Sequence, residues 1–436
     1  MRLIMQSTII FLVYCLMSFS GVTTFENQVL GEDVAKKKTR KTPALRERVY
    51  SQLARAQKLA DDGKVAEGME VLESIKARQN SMNSYEIAMM WNFIAFIEYN
   101  NQKIPQAVDA FKNVIAQENI PESLEMSTLF SLAQLSMAIE KYDETITYLD
   151  QWEELATEKT NRSSALTLRA NALYANKKYA EALAAIDGGI NALEEGKLPK
   201  ENWLVLKRAL HYELKQTEKV AETTEQLVRL FDKPKYWVEL ANLYGELEKE
   251  DLHLAVMEAA YQQGYLENSR DFQTLAQLYY YSGAPFKAAS LLDSEIEKGT
   301  IKADLKIYTF LAQCWEAAKE LNNAIAVLKK ASDETKDLSL LQRLARLHVD
   351  LEKWDEALLY ANRAEENIEQ VDNPGNVYVA KGIALLNLQR YNESIDSFKK
   401  AQAIKDTKRI AAQWLKFAER ESEAFLSRQQ VADLSE

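Results

Sequence analysis

The chain has 436 residues, with 13 Gly, 7 Pro and 47% hydrophobic residues, a balance that favours helices over a turn-rich sheet protein. Its net charge of −11 argues against general affinity for nucleic acid. Three His and two Cys supply no metal-ligand cluster, and no CxxC, HExxH, P-loop or GxGxxG pattern occurs, so we expect no metal, no cofactor, no catalytic residues and no enzyme.

Residues 1–20 read as a secretory signal peptide: Arg2 opens it, residues 9–17 are strongly apolar, and Ser18 and Ser20 suit a cut before Gly21. The apolar run is shorter than the ~20 residues of a membrane span, so cleavage is preferred to a retained anchor. The mature chain would keep Cys314 alone and form no internal disulfide. Residues 21–42 read as a flexible basic N-terminal arm. Lys36, Lys37, Lys38, Arg40 and Lys41, with Arg46 and Arg48, oppose only Glu47, giving +6 in thirteen residues of an acidic chain. Such an arm suits contact with a membrane surface, an acidic partner or its own body. Pro43, capped by Thr42, is expected in the first turn of the first helix.

From residue 43 to 405 one pattern repeats. Small residues open a second helix at Gly68, Ala107, Thr145, Ala182, Thr223, His253, Ala288, Ala324, Ala357 and Ser394, spaced 30 to 41 apart. Twelve residues earlier stand Ala56, Ala95, Ala133, Ala170, His211, Ala241, Ala276, Ala312, Ala345 and Gly382. Eight of these ten are Ala, where helix axes 8–10 Å apart admit only a small side chain. Four residues beyond each small position that opens a second helix lies a packing residue, from Leu72 to Phe398. The two His mark hairpins 5 and 6 as divergent and locally distorted. Most Trp are expected as core fillers, with Trp152 and Trp203 partly exposed. Residues 406–428 form a capping helix with Ile410, Trp414, Phe417 and Ala418 on one face, and 429–436 a frayed tail.

The clearest copy, YVAKGIALLNLQRYNESIDSFKKA at 378–401, resembles the tetratricopeptide repeat in its order of small and large residues. The resemblance implies an all-α, right-handed superhelical solenoid of about ten hairpins with a C-terminal capping helix. It also implies a concave face, lined by first helices, that binds protein segments. The residue after each first-helix small position then faces the groove: Phe96, Gln134, Asn171, Tyr212, Asn242, Gln277, Gln313, Arg346 and Ile383. Five are Asn or Gln, which donate and accept hydrogen bonds at once and suit an extended peptide backbone. Four residues before these positions no Lys occurs, so the carboxylate clamp of one family subset is not carried over.

Two segments, KKKTRKTPALRERVYSQLARAQ and AAYQQGYLENSRDFQTLAQLYYYSGAPFKAASLL, look like parts of secreted tetratricopeptide proteins associated with gammaproteobacterial TonB/ExbB/ExbD systems. That resemblance implies a periplasmic scaffold or adaptor, an accessory of TonB-dependent uptake of iron complexes. Its partners would be components of the TonB/ExbB/ExbD complex or a TonB-dependent receptor. Two alternatives stand beside it. One is a general envelope-biogenesis scaffold. The other is a glycan- or lipid-binding module using exposed Trp and Tyr, with Tyr279, Tyr280 and Tyr281 in a row.

Overall fold

The computed structural model describes residues 40–335, 337–371 and 373–433. The signal peptide, Lys36, Lys37 and Lys38 of the arm, and residues 434–436 of the tail lie outside the described residues. Among those described, 21 α-helices and no strand occur. The chain divides into two units, one ending at Phe231 and one beginning at Asp232. Each contains five hairpins.

In the first unit, hairpin 1 is α1 (Glu47–Asp61) with α2 (Val65–Lys76), and hairpin 2 is α3 (Ser84–Asn100) with α4 (Ile104–Ile115). Hairpins 3 to 5 are α5 (Glu122–Ala138) with α6 (Tyr142–Leu155), α7 (Ser163–Ala175) with α8 (Tyr179–Asn191), and α9 (Glu201–Glu213) with α10 (Thr217–Phe231). In the second unit, hairpins 6 and 7 are α11 (Pro234–Glu246) with α12 (Glu250–Gln262) and α13 (Ser269–Tyr281) with α14 (Pro285–Glu297). Hairpins 8 to 10 are α15 (Leu305–Ala317) with α16 (Leu321–Thr335), α17 (Leu340–Asp350) with α18 (Trp354–Glu365), and α19 (Pro374–Asn387) with α20 (Tyr391–Gln402). The last helix, α21 (Lys408–Asp433), runs past the end expected at 428. The fold is an α-solenoid of helical hairpins.

Every hairpin turns in the same way. One residue at the turn adopts a left-handed backbone: Gln102, Glu140, Lys177, Lys215, Glu248, Lys319, Glu352 and Gln389, with Gly at 63 and 283. The next N–H returns to a carbonyl of the last helical turn, as from Lys178 to Leu173 and from Glu320 to Trp315, each at 2.9 Å. This 6→1 bond caps carbonyls that the ending helix leaves unpaired, and it fixes the reversal.

The eight Ala expected at the crossings are all 0% exposed. In hairpin 10 Gly382 takes their place. A Cβ there would lie 2.5 Å from the Phe398 ring, and Ser394 Oγ donates to the Gly382 carbonyl at 2.8 Å. The packing residues Leu72, Phe111, Leu149, Ile186, Met257, Leu292, Leu328, Ala361 and Phe398 are buried. The α21 helix covers the final hairpin, with Trp414 stacked on Phe398 at 6.0 Å and Ala418 fully buried.

Several expectations need correction. In hairpin 5 the left-handed residue is Lys215, and the Gln216 N–H returns to the His211 carbonyl. The register is therefore three residues earlier than expected: Arg208 holds the crossing position and His211 the large-residue position. In other hairpins Tyr244, Tyr279 and Trp315 occupy that large-residue position, as does His348. His211 is buried, with Nδ1 2.7 Å from Gln216 Oε1. Hairpin 6 is not distorted, because Gly245 makes room for His253; a Cβ at 245 would meet the imidazole at 2.8 Å. Trp152 and Trp203 are buried rather than partly exposed. The first helix starts at Glu47, not near Pro43, because Arg46 is held in extended backbone (ψ 138°) by a neighbouring carboxylate.

Candidate functional site

The candidate site is the row of first-helix positions just after each crossing residue, which the two units present differently. In the second unit Asn242, Gln277, Gln313 and Arg346 hold this position on the successive first helices α11, α13, α15 and α17, and all four are exposed. Neighbouring hairpins join along it. Gln313 Nε2 donates to Tyr280 Oη at 2.8 Å, and the Tyr280 ring meets Phe310 edge-on at 5.6 Å. Tyr281, edge-on to Tyr280 at 5.5 Å, is 81% exposed. Further along, the Glu316 carboxylate accepts from both Arg343 and Arg346, and Arg346 also pairs with Asp350 at 3.0 Å. The second unit thus offers an amide-bearing stretch with the half-buried Tyr280 and the exposed Tyr281 beside it, ending in an ordered guanidinium. Ile383 is half-buried.

The first unit is more closed at the same positions. Phe96 is half-buried and meets Phe111 edge-on at 5.4 Å, so it belongs partly to the interior. Gln134 is half-buried, and the Asn171 amide donates to the Thr167 carbonyl of its own helix at 2.7 Å. With the corrected register, Tyr212 stands one turn beyond the position assigned to it and is 73% exposed. Ala209 holds the assigned position. Tyr99, Tyr174 and Tyr280 share the register of Tyr212. Tyr99, Tyr174 and Tyr280 already stand four residues after their crossing Ala in the sequence; aligning hairpin 5 on its turn adds Tyr212 to them.

Of the arm, Arg40 and Lys41 are described. Arg40 pairs with Glu125 in the first turns of α5. Six residues beyond Arg40, Arg46 donates to the fully buried Glu86, from Nε at 2.6 Å and from its backbone N–H at 3.1 Å. Glu86 also accepts from the Asn83 N–H at 3.1 Å, while Asn83 caps α3 and donates to the Ala44 carbonyl at 2.9 Å. The Arg46 guanidinium holds the Glu86 carboxyl below the usual carboxylate range, against the opposing effect of burial. This end of the arm is therefore fastened to its own body.

Other reactive groups lie in the interior. Burial pushes the Cys314 thiol up to about 12, so it is a poor nucleophile. Tyr279 is buried and donates to Glu258 at 3.0 Å, which removes it from any exposed tyrosine platform. Among the described residues no group of three or more His, Cys, Asp or Glu is placed to hold a metal, and no helix is long and apolar enough to cross a membrane.

These features define the chain as an α-solenoid of repeated helical hairpins. No family model matches it, and no curated protein matches it. Among solved structures it is similar to a tetratricopeptide repeat protein from Parabacteroides merdae, at 14% identity and a TM-score of 0.31, covering 67% of this chain and 98% of that one. It is similar to YrrB, described as having an unusual peptide-binding site, at 17% identity and a TM-score of 0.33, covering 44% and 92%. It is also similar to the structure of Naa15/Naa10 bound to HypK-THB, at 12% identity and a TM-score of 0.40, covering 87% and 67%.

Proposed function

We propose that the protein is a scaffold that binds an extended segment of a protein partner along the first helices of its second unit. The observation that carries this reading is the exposure of Asn242, Gln277, Gln313 and Arg346 at one register on four successive first helices. Amide side chains at a regular interval match the donors and acceptors of a peptide backbone, and Tyr281 adds a rigid aromatic contact. The apolar leader and the two segments resembling TonB-associated proteins support a periplasmic scaffold that serves a TonB-dependent system for iron-complex uptake. The partner is then a component of the TonB/ExbB/ExbD complex or a receptor, and the basic arm is a second contact surface.

The test is co-purification of TonB-complex components with the tagged protein. Gln277→Ala with Gln313→Ala should reduce recovery at least several-fold, and deletion of residues 36–41 should weaken it further. Unchanged recovery from both variants would overturn the reading. So would wild-type protein that binds isolated glycan strands or vesicles and no protein.

A further inference from the structure

Hairpin 7 breaks the pattern that the other nine keep. Seven residues after the small position of each second helix, the chain places a residue against the interior. In hairpins 6, 8, 9 and 10 it is Ala260, Ala331, Ala364 and Ala401, each 0% exposed. In hairpins 1 to 5, on the corrected register, it is Ile, Val, Trp, Gly and Leu. In hairpin 7 it is Glu295, 3% exposed. An isolated carboxylate is costly in such a place, and an apolar residue of similar size would cost nothing.

Glu295 lines a solvent-open cavity of about 320 Å³. Tyr261 and Phe272, edge-on to each other at 6.1 Å, form part of its wall, and the exposed Glu267 adds a second negative charge. The cation that meets Glu295 comes from the same helix end: Lys298 Nζ lies 2.7 Å from Oε1, and the Lys298 side chain is 59% exposed. Two carboxylates against one ammonium leave the cavity net negative, and aromatic rings beside a carboxylate are the setting in which an organic cation is held.

We propose that this cavity is a binding site for a cationic side chain, lysine or arginine, presented by a partner, with Lys298 as the internal cation that the incoming group displaces. Lys298 hangs on a flexible stem at the helix end and can swing into solvent, while Glu295 is fixed in the interior. That a protein presents the cation rests on the function proposed above. The site itself does not, and small ions test it separately.

The probes are n-butylguanidinium and n-butylammonium chloride, with n-butanol and matched sodium chloride as controls, added to the full chain. Binding is read from the melting temperature and from the ring resonances of Tyr261 and Phe272. Lys298→Ala removes the competitor and should bind n-butylguanidinium at least about 5-fold more tightly than wild type. At several times Kd its melting temperature should rise by about 2–4 °C. The double variant Glu295→Gln/Lys298→Ala removes both charges together, so it should fold and show no response beyond that to n-butanol. A Lys298→Ala protein that is destabilised but not rescued by either cation would make the pair purely structural and overturn the site. An equal response from the double variant would do the same.

Discussion

At position 245 the absence of a side chain and at position 253 the presence of a large one are a single adaptation. The imidazole of His253 fills the space that a methyl at 245 would need. Gly245→Ala should therefore destabilise the second unit by about 1–3 kcal/mol, and the loss should shrink when His253→Ala is added, as a double-mutant cycle in denaturant would show. The histidines also set an acid sensitivity. Burial depresses the pKa of His253 and His348 below the ordinary 6.5, so the folded state favours their neutral forms. The unfolded chain binds the extra protons. Stability is thus complete above about 6.5 and falls as the pH drops from there through the lowered folded values. His348 occupies the position at which hairpins 6 and 7 carry tyrosine. His348→Tyr should keep the fold and narrow the difference in unfolding midpoint between pH 7.5 and 5.5. At the N-terminal fastening, Glu86→Ala removes the buried carboxylate and strands the donors that meet it. A loss of about 2–3 kcal/mol by denaturant unfolding is expected.

The hairpin is the unit in which the sequence was most legible. Its turns rely on one left-handed residue each, and in eight of ten that residue has a side chain. Gly283, at φ 79°, is one of the two that do not, and Gly283→Ala should cost about 1 kcal/mol, measurable as a lower melting temperature. Ten hairpins, their second-helix packing residues and the covering helix could be read from Ala and Leu spacing, because a close crossing permits so few side chains. Hairpin 5 could not be read correctly in this way. His211, Thr223 and Leu227 reproduce the expected intervals of twelve and four, whereas the true crossing position holds Arg208, which carries no small-residue signal. Spacing also could not show that Asn171 would spend its amide on its own helix, or that Phe96 would turn partly inward. Those outcomes depend on which neighbour is within reach. Glu295 went unnoticed because one acid among 65 acidic residues stands out only after the register is fixed.

Over the whole molecule, each unit repeats one interior five times, and stability is carried from hairpin to hairpin. The final interior is closed by α21 through Trp414 and Ala418. Removing residues 408–436 should uncover Leu386 and Phe398, lower the melting temperature and promote aggregation seen by light scattering. At this scale the central claim is that the exposed first-helix row of the second unit holds a protein partner. The most direct measurement places a photo-crosslinking amino acid at Tyr281, one helical turn beyond Gln277 of that row, and, as control, at Leu359, which is 53% exposed on a second helix. Irradiated cells should yield a discrete adduct with a protein partner from position 281 and none from 359. An adduct from 359 alone, or the same adducts from both, would contradict the account.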